Sequence, residues 1–299
     1  MKFAVINDLH AQFAPDSHQP GYPDANRRAA WMLRQFAAGG SLADVDFVIG
    51  AGDLIHGEDI ASIRSELNAF KPHLEKFAVP FYPVCGNHEI RQAEGDPAYE
   101  APYREAYGDD RFDYVIPAGP VEVIVLNNAG AFHVTAPRRE ARANALKRML
   151  QANPDKRKIL VCHIPMVPLR ERDVLRRSFG FLSYINLEVE LNDLLDEAGA
   201  AVPLVISGHL HITGMVERRG VKHLVTSGTA SFPHDYAVVT VSPTAIDVEV
   251  RSLPAELHEP KSNIHGPPRY ATGFTDAAHP THDLYLRGND HERRFSIKL

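Results

Sequence analysis

Cysteine is nearly absent, with only Cys85 and Cys162 among 299 residues. That excludes a disulfide framework and fits a reducing compartment. Each cysteine lies one or two residues before a candidate ligand at the end of an apolar run. A small buried hydrophobe is the simpler reading of both, ahead of a redox or metal-binding role. No apolar run approaches the roughly 18 residues a membrane-spanning helix needs, so no membrane partner is expected. Basic residues are not in excess: 32 Lys and Arg stand against 38 Asp and Glu, a formal net charge of −6. Such a chain lacks the basic footprint that nucleic-acid binding requires, so no nucleic-acid partner is expected. Repeats and low-complexity tracts are also missing. The first apolar run starts at once and reaches Asp8, which leaves no room for a secretory leader. A cytoplasmic location is the expectation.

Apolar material for a core is plentiful: 44% of residues are hydrophobic and 23% charged, an ordinary globular balance. The first two-thirds alternates strand-length apolar runs with stretches of helical spacing. Strands are expected at 2–7, 46–51, 81–85, 112–116, 121–127, 158–162 and 203–207. Helices are expected after a cap at Asn26, then at 59–78, 99–107, 137–152 and 187–198, with Gly199 as a stop. Between 213 and 251 the pattern changes to short strands with tight turns, one marked by Ser242-Pro243. Alternating elements followed by meandering strands predict an α/β fold of two packed mixed sheets flanked by helices, a four-layer α-β-β-α sandwich. Residues 1–254 read as one domain. Residues 255–299 turn polar and read as an extended arm, with LYLRG and RRFSIKL available as an edge strand or a homo-oligomer contact.

Five short motifs carry the chemistry: Asp8-x-His10, Gly52-Asp53, Gly86-Asn87-His88-Glu89, His163 and Gly208-His209-x-His211. Each is weak alone. Asp-x-His serves as a polar pair at a strand end, Gly-Asp is a common turn, and Gly-His-x-His suits a single zinc or nothing. Their conjunction is specific, because each follows an apolar run: FAVIN, FVIGA, FYPVC, ILVC and PLVIS. Side chains at the ends of parallel strands converge on one sheet edge. Histidine nitrogen mixed with Asp and Asn oxygen suits a hydrolytic pair of transition ions.

In these motifs the chain resembles the calcineurin-like metallophosphoesterase superfamily, over about residues 1–250, through DLH, GDLIHG, GNHE, CHIP and GHLH. The resemblance makes 1–254 a metallophosphoesterase domain with two metal sites about 3.5 Å apart. It implies Asp8, His10 and His211 on the first ion, and Asn87, His163 and His209 on the second. Asp53 would bridge both, together with a water or hydroxide. Fe, Mn, Zn and Co all suit this donor set. His88 would contact the phosphate and protonate the leaving group, a role for which imidazole has the right pKa range; the plainer alternative is that it only orients substrate. Glu89 reads as a carboxylate at a helix start rather than a ligand. His56 lies three residues past Asp53, near where purple acid phosphatases place a metal-bound Tyr and Ser/Thr protein phosphatases carry Asp-Arg-Gly; this chain has neither, which argues against both subfamilies. His56 is read either as a support behind the ligands or as an ordinary loop histidine.

The motif set is most similar to bacterial class III cyclic nucleotide phosphodiesterases and glycerophosphodiesterases. That implies a small phosphate-ester substrate, attacked by the metal-bridging hydroxide with His88 as acid. Substrate choice falls to loops 11–26, 56–60, 127–136 and 164–183. Arg170, Arg172, Arg176 and Arg177 are candidates to clamp a phosphate, against a solvated basic loop. Tyr22, Phe132, Phe179, Phe181 and Tyr184 are candidates to stack on a base, against ordinary packing. The alternatives are a phosphomonoesterase, a nuclease, which the acidic balance disfavours, and a binding scaffold that has lost ligands, which the filled motifs disfavour.

Overall fold

Strand alternation sets the layers of the computed structural model, which describes residues 1–17, 22–91, 93, 95–130, 135–179, 189–258 and 273–299. In β1 (Lys2–Ile6), Phe3 and Val5 face one apolar cluster while Ala4 and Ile6 face another. A strand buried on both faces needs cover on both. β1 lies parallel to β2 (Phe47–Ala51), and β2 to β3 (Phe81–Val84). β10 (Asp235–Val241), β11 (Ala245–Ser252) and β12 (Arg294–Lys298) extend this sheet antiparallel, giving the order β12-β11-β10-β1-β2-β3. The second sheet has the order β4-β5-β6-β7-β9-β8. Its parallel centre is β5 (Val121–Val125), β6 (Arg157–Val161), β7 (Leu204–Ser207) and β9 (Val221–Val225). Antiparallel β4 (Tyr114–Ala118) and β8 (Gly214–Arg218) form its edges.

The two sheets share one core. Phe3, Val5 and Ile49 of the first meet Val123, Ile159 and Ile206 of the second, all fully buried. On the outer face of the first sheet, Ala4, Ile6 and Val48 pack under Met32 and Leu33 of α1 (Ala25–Arg34) and Ile63, Leu67 and Phe70 of α2 (Ile60–Leu74). On the outer face of the second, Ile124, Leu160 and Val205 pack under Leu146 of α5 (Ala136–Gln151) and Leu191 and Leu195 of α7 (Val189–Ala198). The result is the expected four-layer α-β-β-α sandwich. Burying a Leu, Ile or Phe is worth about 1.5–3 kcal/mol relative to exposure, so this double-sided burial is the main source of stability. Helices α3 (Asn87–Ile90), α4 (Pro97–Tyr107) and α6 (Arg172–Phe179) lie in the connections. No helix among the described residues is long and apolar enough to cross a membrane.

Local differences from the sequence reading have physical causes. Asn26 does not cap α1, whose preceding residue is Asp24. Its amide instead satisfies both backbone groups of Gln12, accepting from the N–H at 2.7 Å and donating to the carbonyl at 2.6 Å. The arginine-bearing loop contains α6. The segment read as an extended arm includes α8 (His282–Arg287), which takes in LYLR of LYLRG, and α9 (Asp290–Arg293), while Arg294–Lys298 of RRFSIKL pairs with β11 as the edge strand that the sequence offered. Its polar composition conceals burial through pairing. Arg293 grips buried Asp235 at 2.6 and 2.9 Å, and His279 lies between Asp276 at 2.7 Å and Glu292 at 2.9 Å.

Candidate metal centre

The parallel connections place the ends of β1, β2, β3, β6 and β7 along one edge of the sandwich, and all five motifs lie there. The backbone is left-handed in three of them. Asp8, His10, Asp53, His209 and His211 have φ of 46°, 45°, 51°, 68° and 51°. Non-glycine residues in this region are uncommon and cost on the order of 1–3 kcal/mol each. Such strain persists only where surrounding bonds enforce it. Here Asp8 N–H donates to Gly52 O and His10 N–H to Asp53 O, both at 3.0 Å, and Gly208 N–H donates to His163 O at 3.0 Å. Two motif glycines have steric reasons. A Cβ on Gly52 (φ 86°) would overlap the imidazole of His163, and one on Gly208 would overlap the side chains of Asn7 and Asp8.

Two donor clusters that contain a carboxylate result, and His10, His56 and His88 form a third group beside them. In the first, the donor atoms of Asp8, His10 and His211 lie within 4.8 Å of one another. His211 Nε2 is 3.2 Å from Asp8 Oδ1 and 3.1 Å from His10 Nε2. In the second, those of Asp53, His163 and His209 lie within 4.8 Å. His163 Nε2 is 3.1 Å from both Asp53 Oδ2 and Asn87 Oδ1. Asp53 Oδ2 is also 3.8 Å from His10 Nε2 of the first cluster, so this carboxylate stands between the two.

The donor chemistry fits cations. His163 Nδ1 is 2.9 Å from Ala51 O, and a carbonyl only accepts, so Nδ1 carries the proton. In a neutral ring Nε2 then presents a lone pair to two oxygen acceptors, Asp53 Oδ2 and Asn87 Oδ1. His211 Nδ1 meets Ser231 Oγ at 2.7 Å, which leaves its Nε2 toward Asp8. Asp8 Oδ1 is buried and accepts no hydrogen bond from the described residues. Facing acceptors need a proton or a metal between them. Without a metal a proton serves: burial opposes it, but the Asp53 carboxylate raises His163 to about 10. The same contacts hold Asp53 well below the carboxylate range against burial. Burial and the neighbouring charge of His163 push His209 down to about 3, keeping it neutral and ligand-ready.

The remaining motif residues take distinct places. Glu89 is not oriented as a ligand: its carboxylate accepts from the N–H groups of Asp53 (2.9 Å), Leu54 (2.8 Å) and Gly86 (2.8 Å), joining the turns after β2 and β3. Burial and the Asp53 charge push it up to about 7. His88 donates its N–H to Asp53 Oδ1 at 2.8 Å, and its Nδ1 is 3.3 Å from Gly57 O. Its half-buried ring meets His10 nearly edge-on at 4.8 Å. Burial lowers its pKa well below the histidine range, Asp53 opposing and His10 assisting. His56, left between two readings by sequence, stands at the site: its Nδ1 is 3.0 Å from His10 Nδ1 and its ring stacks on His88 at 4.4 Å. Tyr22 covers the first cluster, 4.5 Å from the His10 ring and 5.0 Å from that of His211.

Arg170 is drawn away from the site. It is 5% exposed and donates to the carbonyls of Tyr285, Thr213 and Leu169. Arg172, Arg176 and Arg177 are exposed on α6. Phe132, Phe181, Tyr184 and the side chain of Phe179 lie outside the described residues. Sequence reasoning missed Asn7 and Ser231. Asn7 donates to Asp8 Oδ2 and to Thr226 O. Thr226 lies 219 residues from Asn7, and His211 lies 20 residues from Ser231, so these contacts leave no local pattern in the sequence.

Two donor clusters sharing a carboxylate at the strand edge of an α-β-β-α sandwich define a dimetal phosphoesterase fold. The family model for calcineurin-like phosphoesterases matches residues 1–213, and the chain belongs to that family. No curated protein sequence matches it. Among solved structures it is similar to a dimetal phosphatase from Danio rerio, with TM-score 0.61 and 15% identity over 84% of this chain and 96% of that one. It is also similar to the purple acid phosphatase PPD1 of yellow lupin (Lupinus luteus), with TM-score 0.60 and 16% identity over 84% of this chain and 51% of that one. GAP50 of Plasmodium, an anchor in the inner membrane complex, aligns with TM-score 0.52 and 17% identity over 84% of each chain. At these identities the likeness is one of fold. The family is one of hydrolases that use two metal ions.

Proposed function

We propose that this chain hydrolyses small phosphodiesters, of the cyclic nucleotide or glycerophosphodiester type, with Asp8, His10 and His211 holding one metal ion, Asn87, His163 and His209 the other, and Asp53 bridging. The observation that carries the reading is Asp53 Oδ2, 3.1 Å from His163 Nε2 and 3.8 Å from His10 Nε2. Bound there, two ions would supply a water deprotonated at neutral pH and a clamp on the phosphoryl oxygens. Fe, Mn, Zn and Co remain equal candidates.

The protein's own part is positional. The His88 and Glu89 contacts fix the Asp53 carboxylate and its backbone. Gly57 O holds the His88 Nδ1 proton, so Nε2 is the atom left to serve the leaving group. Burial keeps His88 neutral at rest. A phosphate anion beside it favours the imidazolium, so the acid form arrives with the substrate. The proton then passes from Nε2 to the departing alkoxide.

The fate of Arg170 supports a diester over a monoester. A dianion calls for extra cationic groups, and this one is committed to carbonyls. A monoesterase remains the second reading because Arg91 lies close enough for its charge to act on His56 and His88. The acidic net charge argues against a nuclease, and the complete donor set against a pure scaffold. Two buried cysteines that form no disulfide support a cytoplasmic setting.

The test is a parallel assay with bis-p-nitrophenyl phosphate and p-nitrophenyl phosphate after loading with Mn²⁺, Fe²⁺ or Zn²⁺. A clear preference for the diester is expected. Preference for the monoester, lost in Arg91→Ala, would replace this reading with the second.

A further inference from the structure

We infer that His56 is a positioning residue that fixes the His10 ring from behind and supports the His88 ring on its face. The inference rests on the proposed role of His10 as a metal ligand. Both nitrogens of His10 have assigned directions: Nε2 faces His211 Nε2 at 3.1 Å and the Asp8 and Asp53 carboxylates at 3.8 Å, and Nδ1 faces His56 Nδ1 at 3.0 Å. Two ring nitrogens at that distance form a hydrogen bond only when one carries a proton and the other a lone pair. A cation among His10, Asp8 and His211 needs the Nε2 lone pair, so Nδ1 carries the proton and His56 Nδ1 accepts it. A ligating histidine commonly donates its second N–H in this way, which sets ring orientation and raises its basicity. The acceptor here is an imidazole rather than a carboxylate. It adds no negative charge, so the first cluster keeps more of its pull on a phosphate anion.

The backbone holds His56 for this task. Ala11 and Ile55 form a parallel bridge, with Ala11 N–H donating to Leu54 O at 3.0 Å and His56 N–H to Ala11 O at 3.1 Å. The turns after β1 and β2 are thereby locked in register, and His56 and His10 come from the two sides of that lock. The free face of His56 lies on His88, centroids 4.4 Å apart and planes inclined by 24°. One ring thus links a ligand of the first cluster to the proposed acid.

The test is Zn²⁺ calorimetry on metal-free wild type, His56→Ala and His56→Asn, with long-range ¹H–¹⁵N correlation spectra of the histidine rings. Wild type should bind two ions and show His10 protonated on Nδ1 once loaded. His56→Ala should bind one of the two ions about 10–100-fold more weakly, with an unchanged melting temperature when metal-free. His56→Asn, whose Oδ1 can accept the same proton, should recover most of that affinity. Wild-type affinity for both ions in His56→Ala would overturn the inference and leave the dimetal reading standing. A wild type that takes up no pair of ions would overturn both.

Discussion

Asp53 is where charge, strain and both donor clusters meet in one residue. Its φ is 51°, its Oδ1 accepts from His88 N–H, and its Oδ2 lies between His163 and His10. Asp53→Asn keeps the shape but removes the charge that offsets repulsion between two cations. Metal content should fall from two ions to at most one, and activity by more than the 10–100-fold typical of losing a residue behind a ligand. Retention of two ions by elemental analysis would contradict the bridging role. His88 is separable from it. His88→Ala should keep both ions while slowing esters with poor leaving groups about 10²–10⁴-fold, and activated nitrophenyl esters much less. Equal slowing of both would leave His88 a positioning role only. At this scale the candidate ligands were legible because each ends an apolar run, and the ends of parallel strands meet along one sheet edge. Asn7, Ser231 and the place of His56 were not, because hydrogen bonds between turns are set by tertiary approach. The hydroxyl of Thr226 that donates to Asn7 Oδ1 is 219 residues away.

At the scale of elements, the C-terminal segment braces the loop that carries His209 and His211. Thr213, two residues past His211, donates its N–H to Leu286 O at 2.7 Å and its hydroxyl to Asp235 Oδ2 at 2.6 Å; its carbonyl accepts from Arg170 at 2.6 Å. Arg293 then pairs with Asp235. Arg293→Met should leave a buried carboxylate unpaired, at a cost of about 3–5 kcal/mol, and should lower the midpoint of urea unfolding. An unchanged midpoint would show the pair to be dispensable. Acid should loosen the same segment. Burial opposes it, but His279 and the Asn289 N–H bring Glu292 down to about 2, and contacts from Glu171 N–H and His279 lower Asp276. A depressed carboxyl contributes stability that is full above its unfolded value near 4.5 and is lost as pH falls toward 2. Proteolysis within residues 273–293 should therefore increase between pH 4.5 and 2. The sandwich itself was legible, since strands buried on both faces announce four layers. The helices of 282–293 were not, because their apolar burial is confined to two adjacent residues, Tyr285 and Leu286, with Glu292 buried through pairing, and two neighbours make no helical stripe.

For the whole molecule, folding and metal uptake should be one linked equilibrium. The strained turns at Asp8, His10, Asp53, His209 and His211 are held by cross-strand hydrogen bonds and by the fit of donors that face one another. An ion binding only the folded state adds stability as RT ln(1 + [L]/Kd), about 4 kcal/mol at a thousandfold excess over Kd. In a domain of this size that corresponds to a rise in melting temperature on the order of 10 °C. The ligands must give up protons to bind, and His163, raised to about 10 by Asp53, holds one of them. The gain on adding Mn²⁺ should therefore grow as pH rises from 6 to 8, with measurable proton release on titration. EDTA should reverse the shift and the activity together. If saturating Mn²⁺ restored activity but left the melting temperature at its EDTA value across this pH range, the strained turns would be fixed by the protein alone, and the donor clusters would contribute to catalysis without contributing to the fold.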